Sequence, residues 1–121
     1  MSVCLVVDDS RIIRKLAVRM LSELDIETCE ARNGAEALAL CMNSMPDIIL
    51  LDWNMPILDG MEFLKRLRAM KVSIQPKVLF CTTESEFSRI SAAIAEGADE
   101  YIMKPFDEDV LASKLRLVNA I

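Results

Sequence analysis

The sequence contains no histidine, so no catalytic or metal site in this chain can be built on an imidazole. The absence excludes Ser-His and Cys-His nucleophile pairs, and also zinc sites that use histidine ligands. Any chemistry that the chain performs must therefore use carboxylates, hydroxyls, thiols or lysine. A reaction that needs a phosphohistidine or an imidazole base must obtain it from another molecule.

Paired cysteines are also missing, because no two of the four cysteines have the Cys-x-x-Cys spacing of zinc or thiol-exchange motifs. Each cysteine lies among apolar residues, and we expect buried, reduced thiols at Cys4, Cys29, Cys41 and Cys81. Long apolar runs are absent too. The run over 3–7 is too short for a signal peptide or a membrane span. These features predict a cytoplasmic protein without membrane insertion.

Positive charge is in deficit, with 14 Lys and Arg against 19 Asp and Glu, a net charge of −5. This balance argues against nucleic acid or anionic lipid as a primary ligand. The chain has 121 residues, of which 53% are hydrophobic. That length and composition fit one compact domain over residues 1–121, with no room for a separate output domain.

Short apolar runs alternate five times with longer stretches of helical periodicity. Strands are predicted over 3–7, 26–31, 48–51, 78–81 and 101–103. Helices are predicted after Ser10, Asn33 and Asp59, over about 84–95, and after Pro105. The alternation predicts an α/β fold: a flavodoxin-like (βα)5 doubly wound parallel sheet of five strands in the order 2-1-3-4-5.

Apolar spacing also predicts which side of each helix faces the core. In the first helix we expect Ile12, Ile13 and Leu16 inward, and the basic residues Arg14, Lys15 and Arg19 exposed. In the fourth we expect Phe87, Ile90 and Ile94 inward, with Gly97 as a left-handed cap, and in the fifth we expect Val110 inward.

Charged and hydroxyl side chains stand where four of the predicted strands end: Asp8-Asp9, Asp52, Thr82 and Lys104. Two carboxylates 4 Å apart repel by about 4 kcal/mol at an effective dielectric near 20. Three converging carboxylates therefore call for a cation, and oxygen ligands suit Mg²⁺, or alternatively Mn²⁺. Taken singly, each of these residues could instead be a helix cap, a strand end or a simple ion pair.

The same ordered residues resemble the receiver domain of two-component response regulators, and within it the single-domain, CheY-like group. The resemblance is carried by Asp8-Asp9, the stretch from Leu51 to Gly60 around Asp52, Thr82, Tyr101 and Lys104-Pro105-Phe106, and it spans nearly the whole chain. It implies a phosphoprotein of phosphorelay signal transduction in which Asp52 is the phosphoacceptor. The Lys104-Pro105 bond is expected to be cis.

The resemblance also implies a metal site and a phosphoryl-binding pair. Asp8, Asp9, Asp52 and the backbone carbonyl of Asn54 would bind Mg²⁺. Lys104 and Thr82 would bind the phosphoryl oxygens.

Thr82 and Tyr101 would form the conformational switch. Asn54 and Glu84 would tune dephosphorylation, and their combination predicts a short-lived phosphoryl group. On this interpretation the protein is no enzyme beyond its own phosphotransfer and autodephosphorylation.

The partners implied by the resemblance are a sensor histidine kinase or a histidine phosphotransfer protein, and a target protein. The target would bind the face formed by the fourth helix, fifth strand and fifth helix. Chemotaxis with a flagellar motor switch target is one interpretation. A phosphorelay intermediate, a phosphate sink and an adaptor in stress or cell-cycle control are alternatives. The chain is expected to be monomeric, and the basic side of the first helix is either a docking site for the phosphoryl donor or simply solvated.

Three other classes of protein share parts of this pattern. A flavodoxin-like electron carrier would share the fold, but two aspartates after the first strand would repel its phosphate group. An aspartate-based phosphohydrolase normally has a second acid where this chain has Asn54, and a cap domain. A receiver-shaped binding module without phosphorylation would not need the complete acid, hydroxyl and lysine set.

Overall fold

In the computed structural model, which describes residues 2–121, strands and helices alternate along the chain. The strands are β1 Val3–Val7, β2 Glu27–Ala31, β3 Ile48–Asp52, β4 Lys77–Thr82 and β5 Glu100–Met103. The helices are α1 Arg11–Glu23, α2 Gly34–Asn43, α3 Gly60–Ala69, α4 Ile90–Ala95 and α5 Glu108–Leu117. All strand pairs are parallel, in the order β2-β1-β3-β4-β5. The predicted fold class is confirmed, with strand ends shifted by one residue.

Strand β3 lies at the centre of the sheet and all five of its residues are buried. Alternate residues point to opposite faces of a strand, so Ile49 and Leu51 join the core under α2 and α3, whereas Ile48 and Leu50 join the core under α1 and α5. Two apolar layers therefore hold the central strand in place. Asp52, at its carboxyl end, stands on a rigid support.

Polar caps fix where the helices start. The side chains of Ser10, Asn33, Asp59 and Asp107 each accept a hydrogen bond from the backbone N–H three residues later. Such caps satisfy N–H groups that lack a partner within the helix. The helix starts predicted at Ser10, Asn33 and Asp59 are confirmed.

The predicted fourth helix is wrong in its first half. Residues Glu84–Arg89 form a 3₁₀ helix, and only Ile90–Ala95 are α-helical. Successive side chains turn by about 120° in a 3₁₀ helix and about 100° in an α-helix, so one apolar face does not continue through the junction. Phe87 and Ile94, expected inward, are 51% and 43% exposed, and Ala93 is buried instead. The expected positive φ at Gly97 is confirmed, at +112°.

Helix α1 also faces the core differently from the prediction. Arg14 is buried, whereas Ile12 and Leu16 are exposed. The guanidinium of Arg14 forms hydrogen bonds with groups inside the fold. Helix α1 is therefore oriented with Arg14 facing inward and with Ile12 and Leu16 facing solvent. Lys15 and Arg19 are exposed as expected. Val110 of α5 was also expected to face inward, but it is exposed.

The cysteines are free thiols, and three of them are buried as predicted. Cys29 is only partly buried, because β2 is an edge strand with no neighbour on its outer side. Burial raises the pKa of Cys41 to about 11 and that of Cys81 to about 12, so these two thiols are protonated and unreactive near neutral pH. Within residues 2–121, no helix is long and apolar enough to cross a membrane.

Candidate functional site

The carboxyl ends of four strands meet at one edge of the sheet. Asp52 is the last residue of β3, opposite Cys81 of β4, and Thr82 is the last residue of β4, opposite Met103 of β5. Asp8 and Lys104 directly follow β1 and β5. The register of the parallel strands thus brings together side chains that lie far apart in the sequence, as predicted.

Three carboxylates form the centre of this site. Asp8, Asp9 and Asp52 each offer an oxygen atom, and these three atoms lie within 4.8 Å of one another. Asp8 and Asp52 are buried, whereas Asp9 is exposed. The Ser10 N–H donates to Asp8 Oδ1 over 2.9 Å, which fixes that carboxylate beside the start of α1. Carboxylates that close together on short loops fit a small divalent cation.

Lys104 is the cation that lies against this cluster. Its Nζ is 2.8 Å from Asp52 Oδ1 and 3.5 Å from Asp8 Oδ2. Burial lowers the pKa of Lys104, but the hydrogen bond that Lys104 donates to Asp52 and the charges of Asp52 and Asp8 outweigh it and raise the pKa above its usual value. Lys104 is therefore protonated across the physiological range.

One lysine does not balance the charge of the three acids. Burial raises the pKa of Asp52, and the nearby Asp8 charge raises it further, although the Lys104 hydrogen bond acts in the opposite direction. Both members of the Lys104–Asp52 pair therefore hold their protons more tightly than usual. Burial is the largest cause for Asp52, whereas the Asp8 contribution to Asp52 and the shift of Lys104 come from neighbouring negative charge, which a second cation would relieve.

Thr82 and Tyr101 lie on the neighbouring strands β4 and β5. Thr82 is 2% exposed, and its hydroxyl donates to the Thr83 carbonyl oxygen over 3.2 Å. The ring of Tyr101 lies edge-on to Phe87, with 5.8 Å between ring centroids, and 4.0 Å from Lys114 Nζ. Tyr101 is thus connected to the 3₁₀ segment that follows Thr82 and to α5.

The side chain of Asn54 contacts a residue that the sequence analysis missed. Its amide nitrogen donates to Glu86 Oε2 over 2.6 Å, whereas Glu84, the expected companion of Asn54, is exposed. Glu86 also accepts from the backbone N–H and the hydroxyl of Thr83. The Thr-x-x-Glu spacing of a capping box was present in the sequence and would have identified Glu86.

Arg14, which was expected on the exposed side of α1, is buried beside this site. Its Nη1 donates to the Asp8 carbonyl oxygen over 2.8 Å, and its Nε donates to Glu30 Oε1 over 3.0 Å. A buried guanidinium thus holds the backbone at the end of β1 from behind the acidic cluster. Its basic character alone gave no signal that it would be buried.

Comparisons with known proteins agree on one protein family. A family described as "Response regulator receiver domain" matches residues 4–116. Chemotaxis protein CheY1 of Helicobacter pylori is 36% identical over 116 residues, covering 94% of each chain. The phosphate regulon transcriptional regulatory protein PhoB of Pseudomonas aeruginosa is 33% identical, but the match covers 50% of that longer protein and 94% of this chain.

Solved structures give the same result. The chemotaxis protein CheY4 of Vibrio cholerae superimposes with a TM-score of 0.89 at 34% sequence identity, and the alignment covers 98% of both chains. The similarity therefore includes every strand and helix that builds the acidic site.

Proposed function

Because the chain belongs to the response regulator receiver domain family of two-component signalling, we propose that it accepts a phosphoryl group on Asp52 and changes its partner binding in response. The observation that carries this proposal is the contact of 2.8 Å between Lys104 Nζ and Asp52 Oδ1 inside a cluster of three acids. Asp52 is buried on the central strand with Lys104 Nζ 2.8 Å away, whereas that nitrogen is 3.5 Å from Asp8 and Asp9 is exposed. Among the three carboxylates, Asp52 is thus the best placed to accept a phosphoryl group.

Receiver domains bind Mg²⁺ at an acidic pocket, and the cluster here fits that ion. Asp8, Asp9, Asp52 and the backbone carbonyl of Asn54 would hold it, and Mn²⁺ has the same preference for oxygen ligands. When bound, the ion supplies positive charge that stabilises the oxygens of a transferring phosphoryl group. Lys104 neutralises only part of the charge of the three acids. The remaining negative charge is the physical reason to expect such an ion.

In the proposed transfer, a carboxylate oxygen of Asp52 forms a bond to phosphorus while the bond from phosphorus to the donor breaks. That bond is P–N in a phosphohistidine and P–O in a small acyl phosphate. Lys104 pairs with one phosphoryl oxygen, and the Thr82 hydroxyl donates to another. Water later cleaves the new bond, releases inorganic phosphate and restores the carboxylate, so the protein regulates rather than turning over a substrate.

The signal would leave the pocket through Thr82 and Tyr101. A phosphoryl group adds about two negative charges and three acceptor oxygens, which attract the Thr82 hydroxyl and its loop. Tyr101 would follow into the space that the loop leaves. The surface of α4, β5 and α5 carries the exposed apolar residues Ile94 and Val110, and the preceding 3₁₀ segment adds Phe87, so this face suits a protein partner.

The phosphoryl donor would be a histidine kinase or a histidine phosphotransfer protein, because the chain has no histidine. Beside the site, an apolar groove of about 370 Å³ is lined by Leu16, Met20 and Phe106 among others. A second groove on α1 shares Leu16 with the first and is lined by the exposed cations Lys15 and Arg19. The two grooves together suit a helical donor with an apolar and acidic face.

The pathway is proposed from relatives. The Helicobacter and Vibrio proteins are named as chemotaxis proteins, and the matched regions cover 94% and 98% of those chains. A receiver domain that acts as a monomer in chemotaxis on a motor switch target is the preferred function. A role as phosphorelay intermediate, phosphate sink or stress and cell-cycle adaptor is the second candidate, since the PhoB match shows that similar receivers serve other outputs.

The test compares the native chain with Asp52→Asn in acetyl phosphate and Mg²⁺. We expect the native mass to rise by one phosphoryl group, and the rise to be lost in the variant and when the metal is chelated. Trp53, next to the acceptor, should report the same event by fluorescence. A native chain whose mass and fluorescence behave like those of Asp52→Asn contradicts the proposal, as does steady hydrolysis of phosphate esters.

A further inference from the structure

Glu86 connects two loops that border the acidic site. Its Oε1 accepts from the Thr83 backbone N–H over 3.3 Å and from the Thr83 hydroxyl over 3.0 Å. Its Oε2 accepts from the Asn54 amide over 2.6 Å. Thr83 directly follows Thr82, and Asn54 lies two residues after Asp52. One carboxylate therefore occupies hydrogen-bond donors from both loops.

Arg89 completes this arrangement from the other side. Its Nη1 lies 3.7 Å from Glu86 Oε2 and 3.4 Å from Asn54 Oδ1. Its guanidinium carbon lies 4.7 Å from the centroid of the Trp53 ring. We call the set Thr83, Glu86, Arg89, Asn54 and Trp53 the Glu86 latch. It ties the segment after β4 to the segment after β3.

A capping role explains only part of the latch. The Thr83–Glu86 contacts are those of a capping box at the start of the 3₁₀ helix. They do not require the Asn54 amide, the Arg89 guanidinium or the Trp53 ring. The side chain of Glu86 is only 16% exposed and Asn54 bonds to it over 2.6 Å, so the contact between the loops is a close, charge-assisted one.

We propose that Glu86 is a positioning residue that opposes phosphorylation of Asp52: its carboxylate holds the Asn54 amide and the Thr83 N–H in the unphosphorylated arrangement. The inference rests on the proposed function. A phosphoryl group on Asp52 is an anion that attracts the same donors and repels the Glu86 carboxylate. The latch must open before those donors can turn, and the chain loses these hydrogen bonds when it becomes phosphorylated. The cost lowers the occupancy of the phosphorylated conformation.

The experiment measures binding of beryllofluoride, an analogue of the bound phosphoryl group, in saturating Mg²⁺ by the change in Trp53 fluorescence. Glu86→Gln keeps the shape of the side chain but removes its charge, and we expect beryllofluoride to bind about three- to tenfold more tightly. Arg89→Gln leaves the capping contacts in place and should tighten binding by about two- to threefold. Glu96→Gln removes an exposed carboxylate from the end of the same helical segment and should bind as the native chain does.

The outcomes separate the inference from the proposed function. Unchanged or weaker binding by Glu86→Gln, in a variant whose circular dichroism matches the native chain, overturns the role of Glu86. If Glu86→Gln does not fold, Arg89→Gln decides, and unchanged or weaker binding there overturns it equally. A native chain that gives the same signal as Asp52→Asn overturns the proposed function itself. The unliganded Trp53 emission of Glu86→Gln should also differ from native, because Arg89 loses its anionic partner beside the ring.

Discussion

At the scale of single residues, two cations serve the acidic site in different ways. Lys104 points at the carboxylates themselves, with its Nζ 2.8 Å from Asp52. Arg14 instead donates to the backbone carbonyl of Asp8 and pairs with Glu30 on β2. Lys104 therefore sets the charge of the pocket, whereas Arg14 sets the position of the loop that carries two of its acids.

Replacing Arg14 should lower the stability of the protein, because Arg14 holds the loop after β1 in position. Arg14→Met keeps an apolar stem of similar length but leaves the Asp8 carbonyl without its side-chain donor and Glu30 with Lys15 as its remaining partner, so we expect a loss of about 1–3 kcal/mol of unfolding free energy. Urea denaturation measures it. Arg19→Met, an exposed cation on the same helix, is the control and should change stability by less than about 0.5 kcal/mol. Equal stabilities of the two variants would show that the buried contacts of Arg14 contribute nothing.

At the scale of elements, the turn from β3 into α3 is shaped by close backbone contact. A Cβ atom on Gly60 would overlap the Asp52 carbonyl oxygen, and the Gly60 N–H donates to the Trp53 carbonyl oxygen over 2.9 Å. The loop between Asp52 and Gly60 carries Asn54, so its path also places the latch.

Helix propensity alone predicts that Gly60→Ala raises the unfolding free energy, whereas we expect this substitution to lower it. At an exposed helical position the change stabilises by about 1 kcal/mol, but here the methyl group would collide with backbone atoms that cannot move independently. We expect a loss of about 2–4 kcal/mol in urea denaturation. Beryllofluoride should also bind more weakly, because the displaced backbone belongs to Asp52. A stabilised Gly60→Ala would show that the turn relaxes freely.

The residues of these strands and helices show which parts of the site could be predicted from the sequence and which could not. Asp8, Asp52, Thr82 and Lys104 could be placed together because each follows an apolar run, and parallel strands end at one edge. Arg14 could not, since its burial depends on Glu30 of a different strand and on a backbone carbonyl. Phe87 and Ile94 were misplaced because the chain changes from 3₁₀ to α winding between Arg89 and Ile90, so one helical periodicity does not describe the whole segment.

At the scale of the whole molecule, the net charge of −5 is unevenly distributed. Three acids share one pocket, where their oxygen atoms lie within 4.8 Å, and Lys104 lies against two of them. Folding therefore has to bring like charges together. The electrostatic repulsion among these acids costs free energy. Burial of the central strand between two apolar layers offsets that cost. Stability should consequently depend on whether a divalent cation is present.

Mg²⁺ should raise the melting temperature, because an ion that binds only the folded chain stabilises it by RT ln(1 + [L]/Kd), about 1.4 kcal/mol at ten times Kd. Asp9→Asn should abolish the rise and, without metal, should melt no lower than the native chain, since a repulsive charge is gone. Asp59→Asn is the control: it also removes one negative charge, but asparagine caps a helix as well as aspartate, so its response to Mg²⁺ should be native.

The pH dependence of this stabilisation gives the sharpest check, because its sign follows from Asp52. Burial raises the pKa of Asp52 above its ordinary value, and the metal binds the deprotonated form. The rise in melting temperature with Mg²⁺ should therefore be full at neutral pH and fade as the pH falls toward that raised pKa, before an ordinary aspartate would protonate. Scanning calorimetry with and without Mg²⁺ from neutral to acidic pH measures the difference. A rise of constant size down to the ordinary pKa of aspartate would mean that the metal is held without Asp52, and the acidic pocket would then lose its link to the phosphoacceptor.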